Sequence, residues 1–361
     1  MTTRRHFLAG LAAASVAPVR SWASVGAPDF LAAAQYPDGT YRLAGLNHQG
    51  TVLFALPLPA RGHAAAAHPL KAQAVAFARR PGSFAVVIDC ASGRVLARLQ
   101  SPQGRHFYGH GAFAANGARF YATENDYEAG EGRISVWDAD SFERLGEFPS
   151  GGVGPHDMRL MPDGRTLVVA NGGIETHPET GRTKLNIPVM QPNLSYIDLN
   201  GTVLEQMELP AALHKNSIRH LSVRADGLVG FAMQWQGEST QCPALLGLHA
   251  RGERPRLLAA PEDLQSTLQG YAGSVAFASD GTTIAITCPR GNALHQFNVA
   301  SGAFTDQFGL KDVCGLGAGD EGLIFTTGTG AFGAINGPRA TVVARPDCLW
   351  DNHLIPIGSR A

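Results

Sequence analysis

The chain has 361 residues, more than one simple hydrophobic core usually serves, so its length predicts two domains or a body built from repeats. Hydrophobic residues make up 44% and charged residues 16% of the chain, a composition that excludes a disordered protein. The 29 Lys and Arg residues are balanced by 30 Asp and Glu residues, which excludes the strongly basic charge typical of nucleic-acid binding.

The N-terminus carries an export motif. Residues 3–8 read TRRHFL, the core of a twin-arginine signal, and a short apolar run follows as far as Ala17. Ser21 and Ala23 are small residues in the positions of a cleavage site, so residues 1–23 are predicted to be the signal peptide and 24–361 the mature protein. The apolar run is shorter than the roughly 20 residues that cross a bilayer. We therefore expect a periplasmic protein with no membrane span in its mature chain.

Short apolar strands separated by tight turns fill the rest of the chain. The pattern of strand, Asp, Asn or Gly turn, and second strand recurs, and its clearest copies turn through Asp163-Gly164 and Asp280-Gly281. After the signal there is no convincing helical periodicity. The frequent Gly residues, 43 in total, fit a chain rich in turns. These features predict an all-β fold.

The repeats have the spacing of propeller blades. The residues that open successive first strands are His63, His110, His156, His220, Ser274, Cys314 and His353. Their spacing brackets the roughly 40–50-residue period of a four-stranded blade. Segment 30–58 supplies only three strands and segment 352–357 supplies one, so the two are predicted to pair in one blade and close the ring. The sequence therefore predicts a seven-bladed β-propeller closed by its N- and C-terminal strands.

Histidines recur at the strand openings. Innermost strands begin at the same face of a propeller, so these imidazoles are expected to converge at one mouth of the axial channel. Neutral imidazole binds iron, copper, zinc and nickel well. The predicted metal ligands are His63, His110, His156, His220 and His353. Two alternatives stay open: the histidines have structural roles only, or the mouth binds an anionic or polar small ligand, and Arg219 favours an anion over a cation.

A long segment, 173–192, interrupts the repeat between the second and third strands of its blade. Loops of this length inside a compact repeat are usually functional or disordered. The segment leaves the blade from the His-lined face and is predicted to cover the mouth as a lid; a solvated loop stiffened by Pro178 and Pro188 is the alternative. The predicted ligand-binding residues, on this loop and on nearby strand ends, are Asn171, Glu175, His177, Arg182, Lys184, Arg219 and Gln234.

The five cysteines are an odd number, so at least one thiol is unpaired. Cys242, Cys288, Cys314 and Cys348 are predicted to lie on the His-lined face, and Cys90 on the opposite side. The periplasm permits disulfides between neighbouring blades. The sequence does not choose among the pairings, and buried free thiols stay open as an alternative.

Several segments resemble the DUF1513 family. They are residues 154–178, 181–186, 217–221, 61–63 and 350–353, and the segment around His177 is the most specific of them. The resemblance covers essentially the whole mature chain. It implies a periplasmic propeller of unknown activity, often encoded beside imelysin-type and dihaem thiol-oxidoreductase-like proteins of bacterial iron uptake. Proteins of these two kinds are therefore the expected partners.

Two classes of function follow from these observations. The first is a binding protein, an accessory of iron or other transition-metal acquisition, whose His-rich mouth holds an iron or copper ion. The second is a lactonase-like hydrolase, because propellers of that type have similar blade openings. In it His156 or His177 would be the general base and Arg219 would stabilise an oxyanion. A closed ring of this size is self-sufficient, so a monomer is expected.

Overall fold

The described part of the chain, residues 20–79, 83–181 and 183–358 of a computed structural model, forms 29 short β-strands. These strands are grouped into seven antiparallel sheets, and in six of them the paired strands are neighbours in sequence. The inner strands of successive sheets contact each other in chain order around the ring. The predicted all-β, seven-bladed propeller is confirmed.

The strands of the first four blades have the following bounds. Blade 1 contains β1 (Phe30–Gln35), β2 (Tyr41–Leu46) and β3 (Val52–Pro57), together with the last two strands of the chain. Blade 2 contains β4 (Gly62–Ala67), β5 (Gln73–Ala78), β6 (Ala85–Asp89) and β7 (Arg94–Leu99). Blade 3 contains β8 (Arg105–Phe113), β9 (Arg119–Asp126), β10 (Glu131–Asp138) and β11 (Arg144–Pro149). Blade 4 contains β12 (Pro155–Leu160), β13 (Thr166–Asn171), β14 (Asn193–Asp198) and β15 (Val203–Glu208).

The remaining blades follow the same plan. Blade 5 contains β16 (Asn216–Val223), β17 (Val229–Trp235), β18 (Leu246–His249) and β19 (Arg256–Leu258). Blade 6 contains β20 (Ser274–Phe277), β21 (Thr283–Cys288), β22 (Ala293–Asn298) and β23 (Phe304–Gly309). Blade 7 contains β24 (Val313–Ala318), β25 (Leu323–Thr327), β26 (Phe332–Asn336) and β27 (Arg339–Ala344). The closing strands are β28 (Leu349–Trp350) and β29 (Ile355–Pro356).

Helices are short and few in the described part of the chain. The 3-10 turns are Trp22–Val25, Pro178–Thr180, Ile187–Val189 and Ala211–Leu213, and an α-helix spans Glu262–Thr267. None of these described helices has the length and apolar character needed to cross a membrane.

Both ends of the chain meet in blade 1. β1 pairs antiparallel with β28, where Ala34 faces Trp350, and with β29, where Phe30 faces Pro356. The inner strand of this blade is therefore broken into two pieces, and β29 also contacts β4 and β24 of the neighbouring blades. The predicted ring closure is confirmed.

Most inner strands are irregular near their beginnings. The pairing of β4, β8, β12 and β16 with the second strand of each blade shifts register at residues 62–65, 107–111, 155–157 and 218–220. Such a shift is typical of a β-bulge, which changes the direction of the side chains beside it. His63, His110 and His156 lie within these shifts, and His220 ends the fourth.

None of the five cysteines forms a disulfide in the structure. Cys90, Cys288, Cys314 and Cys348 are buried, and Cys242 is partly buried. Burial raises the pKa of Cys90, Cys314 and Cys348 to about 12, so these thiols are protonated at neutral pH. Of the alternatives left open by the sequence, the structure contains the free thiols.

The residues beside the predicted cleavage site pack against the propeller. Trp22 is buried in an apolar cluster with Leu43, Ala74 and Ile88 of blades 1 and 2. Its indole Nε1 donates a hydrogen bond to the carbonyl of His68 at 2.8 Å. This contact joins the segment before β1 to blades 1 and 2.

A shortened chain that begins at residue 24 is expected to be less stable than one that begins at residue 20. The shorter chain lacks Trp22, and loss of a buried Trp side chain costs about 3–5 kcal/mol. Urea unfolding of the two chains measures the difference. A Trp22→Phe variant of the longer chain is the control, because it keeps most of the apolar contact and is expected to lose less. Equal stability of the two chains would contradict the packing role.

Candidate metal centre

Five imidazoles meet at the centre of the ring. They come from five different blades and are His63, His110, His156, His220 and His353. Ring centroids of the neighbouring imidazoles are 4.5 to 6.0 Å apart. His63 and His156 come from blades that are not adjacent, and side chains from such blades can touch only near the propeller axis. The structure therefore brings together all the histidines that were predicted as metal ligands.

A glycine permits the close approach of two of these histidines. Gly109 precedes His110 and has a φ of +104°, in the region that favours glycine. A Cβ atom at this position would lie 2.7 Å from Cδ2 of His63. Any larger residue would push the imidazoles of blades 2 and 3 apart.

A buried carboxylate orients His110. Oδ1 of Asp157 lies 3.1 Å from Nδ1 of His110, and backbone N–H groups of Met158 and Leu221 donate to the carboxylate at 2.8 and 2.9 Å. A carboxylate at this distance accepts from Nδ1 and fixes the orientation of the ring, so Nε2 is the nitrogen that faces away from Asp157. Although burial opposes it, the charge of Arg159 and the contact with His110 lower the pKa of Asp157. Nε2 of His110 is buried and makes no hydrogen bond to a described residue, so it is the nitrogen of this ring that could bind a metal ion.

A second carboxylate lies near His63. Oδ1 of Asp351 is 3.9 Å from Nδ1 of His63, and its side chain accepts hydrogen bonds from Arg61 and Arg79. Nε2 of His63 faces Nε2 of His353 at a distance of 3.3 Å. The two nitrogens form a hydrogen bond when one of them carries a proton, and they can share a cation when neither does.

Burial favours the neutral form of the imidazoles. Desolvation lowers the pKa of His63 to about 4. It also lowers the pKa of His156, His220 and His353 well below the usual value, and the charges of neighbouring histidines and Arg219 add to this effect. Neutral imidazole is the form that binds metal ions.

The donor nitrogens form two groups that share one histidine. The first group is His63, His110 and His353, and the second is His110, His156 and His220. Within each group the donor atoms lie within 4.8 Å of one another. Among the described residues, Nε2 of His110 and Nδ1 of His63, His156 and His220 are buried without a hydrogen-bond partner. An all-imidazole set of this kind suits copper, iron, nickel or zinc.

A cavity lies at each end of the imidazole cluster. The first cavity has a volume of about 660 Å³, opens where the inner strands begin, and reaches His63, His156 and His220. The second cavity has a volume of about 720 Å³, opens where the inner strands end, and reaches His220 and His353. The imidazoles therefore lie between two cavities, deeper than a site at the mouth itself.

The predicted ligand-binding residues fall into two groups. Lys184, Arg219 and Gln234 line the first cavity. Asn171 lies elsewhere, where its side chain is buried and bonded to Ser150, Asn193 and Ser195.

Two described loop residues of the predicted set, Glu175 and His177, are not among those that line this cavity. His177 packs edge-on against the ring of Tyr127, with the ring centroids 5.0 Å apart. Glu175 is partly buried, and its backbone N–H donates to Oδ1 of Asn186 at 2.8 Å. Arg182 lies outside the described residues.

Segment 173–192 reaches both neighbouring blades. Nδ2 of Asn125 in blade 3 donates to the carbonyl of Thr176 at 3.3 Å. The amino group of Lys184 donates to Oε1 of Gln236 beside blade 5. Ile174, Thr176 and Lys184 line the first cavity, so the segment forms part of its rim.

Sequence reasoning did not single out the two supporting carboxylates. Asp157 directly follows His156, and Asp351 lies two residues before His353, yet each approaches a histidine of a neighbouring blade. The signal that could have identified these two carboxylates is their position within two residues of a histidine that opens a strand. The contact across blades depends on the closed ring.

The comparisons with known proteins agree with this architecture. A family described as "Protein of unknown function (DUF1513)" matches residues 56–357. No curated protein matches the chain. Among solved structures the chain is similar to Kuenenia stuttgartiensis hydrazine synthase, with 14% identity and a TM-score of 0.57 over 85% of this chain and 89% of that chain. At this identity the similarity concerns the fold alone.

Proposed function

The chain belongs to the DUF1513 family, whose function is unknown, and we propose that it binds one transition metal ion. The ion, iron or copper, would lie among the central imidazoles. The convergence of five buried imidazoles carries the proposal, together with Nδ1 of His110 held by Asp157 and Nε2 of His110 left without a partner among the described residues. Metal-binding histidines are usually oriented by a carboxylate that accepts a hydrogen bond from the second ring nitrogen.

The buried nitrogens favour a bound cation over a purely structural cluster. Burying a polar atom without a hydrogen bond costs free energy, and several imidazole nitrogens are buried in this way. Coordination to a metal would offset that cost. Since Nδ1 of His110 faces Asp157, only Nε2 is left, and His110 serves one of the two groups at a time. One ion per chain is the stoichiometry that this arrangement favours.

The cell compartment and partners are part of the same proposal. The twin-arginine motif of residues 3–8 lies outside the described residues and supports export to the periplasm. There the protein would act without catalysis, as an accessory of iron or other transition-metal acquisition. Imelysin-type and dihaem thiol-oxidoreductase-like proteins are the proposed partners, on the basis of the family resemblance.

The test is the metal content of protein purified from the periplasm after export, measured by mass spectrometry of the elements. We expect close to one iron or copper ion per chain. The double variant His110→Ala plus His156→Ala should lose it, whereas His177→Ala, which changes a histidine outside the cluster, should keep it. Metal-free wild-type protein that stays metal-free when titrated with either ion would overturn the proposal.

A hydrolase is the second candidate. The charge of Arg219 acts on His156, and both residues line the first cavity, an arrangement that suits a general base beside an oxyanion-binding group. Metal-free protein that hydrolyses a lactone or ester, and loses this activity in His156→Ala alone, would replace metal binding with this function.

A further inference from the structure

The charges that line the first cavity are divided between two sides. On one side Asp351 contacts both Arg61 and Arg79, and Asp312 lies close enough to the same two arginines for their charges to act on its pKa. The cationic and acidic groups balance on this side, which is formed by blades 1, 2 and 7.

The other side of the first cavity is cationic. Lys184 comes from segment 173–192, Arg219 from β16, and Arg290 from the segment after β21. Lys184 has a neutral partner in Gln236, and the Arg290 guanidinium lies 4.3 Å from the ring centroid of Tyr271. Partial burial and the charges of Arg219 and Arg290 lower the pKa of Lys184, which shares the lining of this cavity with both arginines.

This cationic side adjoins the imidazole cluster. Arg219 directly precedes His220 in β16, and Arg219, His156 and His220 line the same cavity. A metal ion among the imidazoles would add further positive charge next to Arg219. Charges of one sign at such distances raise the free energy of the folded protein unless an anion lies between them.

We propose that Lys184, Arg219 and Arg290 bind a small, multiply charged oxyanion, with carboxylate or phosphate oxygens, in the first cavity. Guanidinium and ammonium groups are the side chains that recognise these oxygens. The cavity volume of about 660 Å³ is within the range of small-molecule sites. The anion would lower the repulsion among the cationic side chains that line this side of the cavity.

The second part of this inference rests on the proposed function. With a metal ion bound, the anion lies between the ion and the three cations and can supply an oxygen ligand. The metal and the anion then raise each other's affinity by the same factor, as thermodynamic linkage requires. A metal bound without the anion would instead be repelled by Arg219.

The experiment is a calorimetric titration of the metal-free, folded protein at low ionic strength. Citrate, phosphate and an uncharged polyol are the probes. We expect binding of citrate or phosphate that weakens as salt is added, and no binding of the polyol. The anion that binds more tightly identifies the oxygen chemistry. Binding of neither anion would overturn the inference.

Variants locate the site. Lys184→Gln and Arg290→Gln should each weaken anion binding about tenfold, since each removes a charge-assisted hydrogen bond. Both residues are solvent-exposed, so the fold should tolerate the changes. Arg224→Gln removes a cation from the second cavity and is the matched control, with unchanged affinity expected. An unchanged affinity in the Lys184→Gln plus Arg290→Gln double variant would exclude this site.

The two proposals fail in different ways. Anion binding by a protein that takes up no metal would refute the proposed function and support the oxyanion site. Uptake of one metal ion by a protein that binds neither anion would do the opposite. If both bind, repeating the anion titration with the metal-loaded protein should give a higher anion affinity; an equal affinity would refute the coupling.

Discussion

Replacing Asp157 with asparagine is expected to lower the affinity for the metal by about 10- to 100-fold, the usual effect of removing a group that orients a metal ligand. Both oxygens of Asp157 accept from N–H groups: Oδ1 from Met158, and Oδ2 from Leu221. Oδ1 also faces Nδ1 of His110. An asparagine keeps the size but offers a single acceptor oxygen.

The amide has two orientations, and both are unfavourable. With its NH₂ group toward His110, the amide donates to Nδ1 and stabilises the tautomer that carries a proton on Nε2, which cannot bind a metal. With its NH₂ group toward Leu221, two donors face each other and the strand contact between blades 4 and 5 is weakened. The variant is therefore expected to lose affinity and stability together.

Competition with a chelator of known affinity measures the loss. Glu124→Gln is the matched control, because Glu124 is equally buried but pairs with Arg144 through bonds of 2.7 and 3.0 Å in the outer part of blade 3. This variant should lose stability and keep its metal affinity. An equal loss of affinity in both variants would mean that general destabilisation, and not the orientation of His110, explains the result.

Acidification from about pH 6.5 to about pH 4 is expected to lower the free energy of unfolding of the metal-free protein. The pKa of His63 is lowered to about 4 in the folded state, so in this range the unfolded chain binds a proton that the folded chain does not. Stability is therefore lost as the pH falls, and His63 alone accounts for roughly 3 kcal/mol at 1.36 kcal/mol per pKa unit. The lowered pKa of His156, His220 and His353 acts in the same direction.

Urea unfolding at pH 7, 5.5 and 4.5 tests this dependence. A His63→Gln variant should show a weaker dependence on pH, whatever its stability at neutral pH, because it lacks one of the titrating groups. The pKa values of Asp157 and Asp351 are lowered, so these carboxylates lose their contribution only at still lower pH. A free energy of unfolding that stays constant from pH 7 to 4.5 would show that the imidazoles are protonated or solvated in the folded protein.

The ring and its closure could be predicted because both depend on local signals. Turns such as Asp163-Gly164 recur at the blade period, and the incomplete sets of strands at the two chain ends complement each other. The same period selected the five histidines that meet in the structure. The depth of the cluster could not be predicted, because the bulges in the inner strands change the direction of side chains, and a bulge becomes visible only when the pairing register is known.

For segment 173–192, the directions of the side chains could not be predicted from the sequence. Its position and its departure from the His-lined face follow from blade topology, but the face that each of its residues presents depends on the 3-10 turns at Pro178–Thr180 and Ile187–Val189. Lys184 lines the first cavity, whereas His177 packs on Tyr127. Neither outcome could be read from residue type.

Because the inner strand of blade 1 is broken, a bound metal ion would help to hold the ring closed. His63 and His353 are 290 residues apart in sequence, and their Nε2 atoms are 3.3 Å apart in the folded chain. An ion bound to both would be a non-covalent cross-link between β4 and the C-terminal strands that close the ring. Opening the propeller would then require release of the ion. A bound ion would therefore stabilise the pairing of β28 and β29 with β1 against local unfolding.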